Sequence, residues 1–285
     1  MDTIDILEET KIIIFGSTGM LGRYLKEYFK QQYSYEIICV NRNVIDAGNT
    51  SYKAIQDVFD NINVKKDDLV INCVGIIPQS KNVNSTSNRS YFKINTVFPH
   101  ILSTICKLNG MRFIHITTDC VFSGLKGNYN EFDIHDETND YGVSKSLGEN
   151  VVFGTIIRTS IIGEEQQNKY SLLEWIRGHR NTSINGYVNH MWNGVTCLQL
   201  SKIIFQILVK KIFWQGVRHI YSPRKVSKYE LACIINKEYE LENQVCPFET
   251  DQPIDKTLTT EYDTVSLFDI PDLEFQIKEL RHFSF

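Results

Sequence analysis

Tyr141 and Lys145, four residues apart in the run YGVSKSLGE, form a pair whose chemistry depends on helix geometry. At positions i and i+4 both side chains fall on one helical face. The lysine charge then favours the phenolate and lowers the tyrosine pKa from its free value of about 10. A tyrosine tuned in this way can give a proton to a carbonyl oxygen as hydride reaches the carbon. A second hydroxyl is needed to hold that oxygen, and the run ending Ile116-Thr117-Thr118-Asp119 offers one at a strand end. Alone the Tyr/Lys spacing is weak, because such pairs also decorate exposed helices. It becomes specific through its place downstream of a glycine-rich turn and the Thr-Thr strand end.

That turn is Gly16-Ser17-Thr18-Gly19-Met20-Leu21-Gly22, which lies directly after the β-branched run KIIIF and directly before a helical pattern. The first glycine permits a tight turn, the second lets a pyrophosphate approach the backbone, and the third lets helix and strand pack closely. Free N–H groups at the helix start then meet the phosphate charge. After the second strand an acidic residue would bind the ribose 2′-hydroxyl of NAD, but this chain carries Asn41-Arg42-Asn43 there. A guanidinium suits a 2′-phosphate, so NADP(H) is favoured and NAD(H) stays open.

Elements must position these groups. KIIIF, EIICV, LVINCV (69–74), RFIHITT (112–118) and TIIRTS (155–160) read as strands. RYLKEYFKQQ, TVFPHILSTICKLNG and YGVSKSLGENVV read as helices between them. The alternation predicts an α/β fold, a Rossmann-type doubly wound parallel sheet with helices on both faces. Beyond it LLEWIRGHR, LQLSKIIFQILVKK, KYELACIINKEYE and LEFQIKELRHF are helical, with short strand-like pieces such as VRHIYS. This half predicts a smaller C-terminal substrate-binding lobe. Residues 1–163 are expected to form the dinucleotide-binding domain and 164–285 mainly the lobe, some segments of which can return to the first domain. The polar stretch Lys81 to Ser90 is expected to be a mobile loop at a strand end, where such sheets bind ligands.

A formal charge of −4 and a pI near 6.0 give no reason to expect nucleic-acid binding. No apolar run is long enough for a membrane span or a signal-peptide core. Seven scattered cysteines without a CxxC pair read as reduced thiols of a cytoplasmic protein.

The chain resembles the extended short-chain dehydrogenase/reductases, and within them the dTDP-4-dehydrorhamnose reductase-like group. The resemblance rests on GSTGMLG (16–22), INCVG (71–75), Asn95, TTDCVFSGLKGNYNEFD (117–133), YGVSKSLGE (141–149) and IRTS (157–160), and covers most of the chain. It implies an NADPH-dependent reductase of a nucleotide-diphosphate-linked 4-keto-6-deoxyhexose. Thr118 would be the catalytic hydroxyl, Tyr141 the acid, and Lys145 the residue that tunes Tyr141 and binds the nicotinamide ribose. Asn72, Cys73, Val74 and Gly75 would line the cofactor cleft, and Asn95, Arg158, Asn189, Trp192 and Asn193 would lie near substrate.

Two departures stand out. Where members that only reduce carry an aromatic residue, this chain has Cys120. Similar bifunctional enzymes, the GDP-fucose and UDP-rhamnose synthases, have a cysteine there that exchanges protons beside the ketone. C3/C5 epimerisation through Cys120 is therefore one expectation, and a small partly buried thiol without chemistry is the other. Glu165, Lys169 and His190 are candidates for the partner acid. The loop Ile77-Pro78-Gln79-Ser80-Lys81 lacks the acidic residues linked to metal binding at the group's dimer contact, so no metal is expected; a homodimer of other geometry stays open. The regulatory subunit of methionine adenosyltransferase shares the resemblance, which makes a non-catalytic binding subunit the competing expectation. His115 reads as a satisfied core histidine. His190, Trp192 and Asn193 read as a loop suited either to stacking on a base or sugar or to simple packing.

Overall fold

The computed structural model describes residues 10–32, 36–79, 88–166 and 169–285. The polar stretch from Lys81 lies outside them up to residue 87, as do Ser80 and Lys81 of the loop considered for metal binding.

The β-branched runs become β1 (Lys11–Phe15), β2 (Glu36–Val40), β3 (Leu69–Asn72), β4 (Arg112–Thr118) and β5 (Thr155–Thr159). Strand β3 is buried along its whole length and β1 in its last four residues, as parallel strands covered on both faces must be. Helices α1 (Met20–Gln32), α2 (Tyr52–Asn61), α3 (Asn88–Tyr91), α4 (Phe98–Leu108) and α5 (Asp140–Gly148) alternate with them. The second half adds β6 (Ile161–Ile162), α6 (Leu172–Gly178), β7 (Ser183–Tyr187), β8 (His190–Trp192), β9 (Val195–Thr196), α7 (Cys197–Val209), β10 (Gly216–His219), β11 (Val226–Ser227), α8 (Lys228–Glu238), β12 (Gln244–Phe248), β13 (Ile254–Asp255), α9 (Thr264–Phe268) and α10 (Leu273–His282).

Among the described residues a six-stranded sheet has the order β10-β5-β4-β3-β1-β2. Strand β1 pairs in parallel with β2, Ile13 opposite Ile38, and with β3, Ile13 opposite Val70. The winding therefore reverses between β1 and β3, and a ligand crevice belongs at the carboxyl ends of those two strands. VRHIYS does not stay with the short strands of the second half: its first part completes the main sheet as β10, beside β5. The α/β reading is correct.

The chain forms two compact units. The first comprises residues 1–117, 138–157 and 204–217; the second comprises 118–137, 158–203 and 218–285. No single cut separates them, and position 163 falls inside a segment of the second unit. The core of the first unit gathers Ile13, Phe15, Val70, Leu102, Phe113 and Ile156. Phe15 meets Phe59 and Phe98 edge-on, with ring centroids 6.1 and 5.8 Å apart. The second unit holds smaller sheets, β11-β8-β13, β12-β7 and β6-β9. One of its clusters packs Val121, Phe122, Tyr129 and Leu258, with the rings of Phe122 and Tyr129 stacked at 4.1 Å.

All seven cysteines are free thiols. No helix among the described residues is long and apolar enough to cross a membrane.

Candidate active site

In the first unit the glycine-rich turn has the geometry that its spacing demands. Gly16 leaves β1 with φ +79°, a left-handed conformation that disfavours any side chain. A Cβ on Gly22 would lie 2.3 Å from the Gly16 carbonyl oxygen, so strand and helix close on each other only because that position is bare. Gly19 closes the turn by donating its N–H to the Gly16 carbonyl at 3.0 Å, and with Thr18 it is exposed. Ser17, Leu21 and Gly22 are buried beneath, and Met20 is half-buried. A bare, exposed backbone at a helix start fits a dinucleotide pyrophosphate. Past β2, the Arg42 side chain is 69% exposed, its Nε 3.6 Å from Asp46 Oδ1, and Asn41 folds its amide oxygen onto the Asn43 N–H at 2.9 Å. Arg42 is thus held by one exposed carboxylate and can turn to a 2′-phosphate at little cost.

The end of β3 carries Asn72-Cys73-Val74-Gly75. Asn72 is fully buried, accepting from the Val74 N–H at 3.0 Å and bonding His115 Nδ1 at 3.1 Å. Burial pushes the Cys73 thiol up to about 12, against the opposing pull of the Lys145 charge, so its thiolate form is disfavoured. Gly75 has a specific reason to be bare: a Cβ there would stand 2.9 Å from Lys145 Nζ.

Helix α5 brings Tyr141 and Lys145 onto one face. Asn139 caps it, accepting the Gly142 N–H at 2.9 Å. Lys145 is buried and Tyr141 half-buried, with the Tyr91 ring 6.2 Å from the Tyr141 ring. Before α4, residues Phe92–Val97 form a π-helical turn, which the run TVFPHILSTICKLNG did not signal. It buries Asn95, whose amide accepts the Ile76 N–H at 3.0 Å and donates to the Ile76 carbonyl and to Ser144 Oγ, both at 3.1 Å. Ser144 passes the link to the Tyr141 carbonyl at 2.8 Å. Asn95, expected near substrate, fastens the loop after β3 to α5. Gly148 allows that approach, since a Cβ would fall 2.0 Å from the Asn95 carbonyl oxygen.

In the second unit Thr118, the last residue of β4, caps a 3-10 turn, accepting the Cys120 N–H at 3.2 Å and donating to Asp119 Oδ1 at 3.1 Å. Cys120 Sγ donates to the same carboxylate oxygen at 3.5 Å. Burial, and then the Asp119 charge, push the Cys120 thiol up to about 12, with Lys256 pulling weakly the other way. A thiolate at Cys120 is therefore disfavoured, by burial first and by the neighbouring carboxylate next. Burial also raises Asp119, against the charges of Lys228 and Lys256. Lys228 lies 4.9 Å over the Trp192 ring, and burial pushes it down to about 8, with Asp119 and Cys120 opposing. Nothing in the sequence pointed to Lys228 beyond its place at a helix start, whereas Asp119 sat in plain view beside the threonine.

The remaining substrate candidates spend their polar groups inside this unit. Arg158 is buried, with Nη1 and Nη2 each 2.7 Å from Nε2 of His219 and His135 and its guanidinium 5.0 Å over the Phe122 ring. Asn189 bonds the Thr250 backbone, Asn193 both backbone groups of Leu258, and Trp192 donates to Ser160 Oγ at 2.8 Å. His190 meets Thr250 Oγ1 at 2.9 Å, and Glu165 accepts the Tyr170 and Ser171 N–H groups. Lys169 has a positive φ of 53°. The run GYVNHMWNG is a strand end and β8, not a loop, and its asparagines clamp the 250–258 segment.

Comparison with known proteins gives a consistent family. A model described as RmlD substrate binding domain matches residues 10–273. A dTDP-4-dehydrorhamnose reductase of Aggregatibacter actinomycetemcomitans is 27% identical over 239 residues, 80% of this chain and 79% of that one. Methionine adenosyltransferase 2 subunit beta of Danio rerio is 23% identical, over 85% of this chain and 78% of its own. In fold the chain matches the crystal structure of dTDP-4-dehydrorhamnose reductase from Bacillus anthracis in complex with NADP, with a TM-score of 0.77 and 20% identity. That match covers 96% of this chain and 99% of the other.

Proposed function

This chain belongs to the RmlD substrate binding domain family, and from that premise we propose that it is an NADP(H)-dependent reductase of a 4-keto-6-deoxyhexose carried on a nucleoside diphosphate. One observation carries the reading: Lys145 Nζ lies against the bare Gly75 at the end of β3, one helical turn from Tyr141 on the same helix. A lysine so held sets the charge beside the tyrosine that must release a proton. NADP(H), when bound, supplies the hydride. Tyr141 Oη gives its proton to the sugar C4 oxygen, Thr118 Oγ1 donates a hydrogen bond to that oxygen, and Lys145 holds the nicotinamide ribose. The glycine turn takes the pyrophosphate and Arg42 the 2′-phosphate. The dTDP-4-dehydrorhamnose reductase relative and the NADP complex of the Bacillus anthracis protein support this choice.

A further step belongs to the same proposal: Cys120 exchanges protons at C3 or C5 before reduction. As a neutral thiol bonded to Asp119, Cys120 gives its proton to the ring carbon after a base on the opposite sugar face has removed that carbon's own proton, and the thiolate left behind is reprotonated from solvent. Free thiols suit a reducing, cytoplasmic setting, and a homodimer is the assembly we propose.

The test is turnover of dTDP-, UDP- and GDP-linked 4-keto-6-deoxyhexoses with NADPH. Tyr141→Phe and Lys145→Met should abolish it. If no keto sugar is turned over and Tyr141→Phe changes nothing measurable, the enzyme reading is lost. The regulatory role suggested by the methionine adenosyltransferase relative would then take its place. Deuterium wash-in from heavy water without NADPH, absent in Cys120→Ser, tests the epimerisation step; no wash-in in the wild type removes it.

A further inference from the structure

We infer that His115 is a positioning residue for the dinucleotide seat: its neutral imidazole orients the Asn72 amide, and that amide fixes the Cys73-Val74-Gly75 turn between Gly16 and Lys145. The inference rests on the dinucleotide-binding part of the reading above.

His115 lies within β4 and Asn72 ends β3, and both are 0% exposed. Strands buried on both faces normally fill such positions with aliphatic side chains. A buried imidazole costs free energy at each polar atom left without a hydrogen bond, so the one bond it makes must offset that cost. Here the Asn72 oxygen already accepts the Val74 N–H, so its nitrogen is the atom that meets His115 Nδ1 at 3.1 Å. That nitrogen only donates, so Nδ1 must accept and the ring proton sits on Nε2. Burial, then the Lys145 charge, push the His115 pKa down to about 3, which keeps Nδ1 an acceptor at neutral pH. Nε2 is buried and has no hydrogen-bond partner among the described residues, so Asn72 is the ring's one polar engagement there.

The consequence passes outward through the turn. The Cys73 N–H bonds the Phe15 carbonyl at 3.0 Å, and a Cβ on Gly16 would stand 3.0 Å from both Cys73 C and Val74 N. The first residue of the pyrophosphate turn therefore rests on the backbone that Asn72 holds. Two residues on, Gly75 faces Lys145 Nζ. If the Asn72 amide rotated, Val74 would lose its acceptor, and both contacts would shift together.

Three measurements decide it. In the wild type without cofactor, nitrogen NMR should show His115 as the Nε2–H tautomer with an unprotonated Nδ1; an Nδ1–H tautomer overturns the inference and needs no variant. His115→Leu should speed exchange of the Val74 amide about tenfold in the cofactor-free protein and weaken NADPH binding about tenfold. His115→Asn, which can present an acceptor near the Nδ1 position, should restore both to within about threefold. Equal NADPH affinity in wild type and His115→Leu overturns the inference, as does His115→Asn failing as badly as His115→Leu. If the wild type itself binds no NADPH, the dinucleotide reading falls and the inference with it. Tight wild-type binding without sugar reduction defeats the reductase assignment alone.

Discussion

The Thr117 hydroxyl donates a 2.8 Å hydrogen bond to the buried carboxylate of Glu149, tying the residue that ends α5 to the strand whose last residue is Thr118. Both partners are buried, so the bond acts in a poorly solvated place where an unmet charge is expensive. Thr117→Val keeps the shape and removes the donor. It should destabilise the protein by about 1–3 kcal/mol in urea unfolding, and lower kcat more than it raises the KM for NADPH. An unchanged midpoint would show that the carboxylate finds another donor.

Gly75→Ala separates packing from chemistry. The added Cβ meets the far end of a flexible lysine, which can swing aside, so stability should change by less than about 0.5 kcal/mol. Activity should nevertheless fall by about a hundredfold, because a 1 Å misplacement of a catalytic group can have that effect. A normal rate in a well-folded Gly75→Ala protein would remove Lys145 from the chemistry as drawn.

Arg158 should behave as a core residue. Arg158→Met leaves His135 and His219 without the guanidinium that both contact, and should destabilise by about 3 kcal/mol. At temperatures where the variant stays folded, the KM for the sugar nucleotide should match that of the wild type. A large rise in KM with unchanged stability would return Arg158 to the substrate.

Arg42 is the opposite case, an exposed side chain whose loss the fold should not notice. Arg42→Ala should weaken NADPH binding by about tenfold and leave NADH almost untouched, since only the former offers a 2′-phosphate to a guanidinium. Equal losses for both would assign cofactor choice elsewhere.

His115 gives stability a pH signature. Its folded pKa, about 3, lies below the ordinary 6.5. Below pH 6.5 the unfolded chain takes up a proton at this ring and the folded protein does not, so falling pH favours unfolding. The contribution is present in full above 6.5 and is lost by about 1.4 kcal/mol per pH unit between there and pH 3. Unfolding free energies across that range should be flatter by this amount in His115→Asn.

The parallel sheet and the glycine turn were legible because local rules dictate them: β-branched runs, a helix period, and a backbone that tolerates no side chain. The YxxxK pair was legible for the same reason, being a relation within one helix. The partners of Asn95 were not legible, because they depend on a π turn that no residue pattern announced and on an Ile76 backbone nineteen positions away. Arg158, Asn189 and Asn193 were polar residues in promising places, but the groups that satisfy them lie 23 to 65 positions away in sequence. VRHIYS looked like another short piece of the second half because strand propensity carries no record of which sheet a strand joins. Such long-range pairings are what a single sequence conceals.

The place of β10 at the sheet edge has a consequence for how the protein is made. Strand β5 leaves the ribosome well before its outer neighbour β10, with residues 160–215 still to be synthesised between them. At about 5–20 residues per second that interval lasts roughly three to eleven seconds. Throughout it the nascent chain presents a buried-type strand as an open edge, ready to pair with another such chain. Crowded synthesis should therefore bring dimer-like aggregates of the unfinished chain, and a chaperone that shields β5 would act within that window.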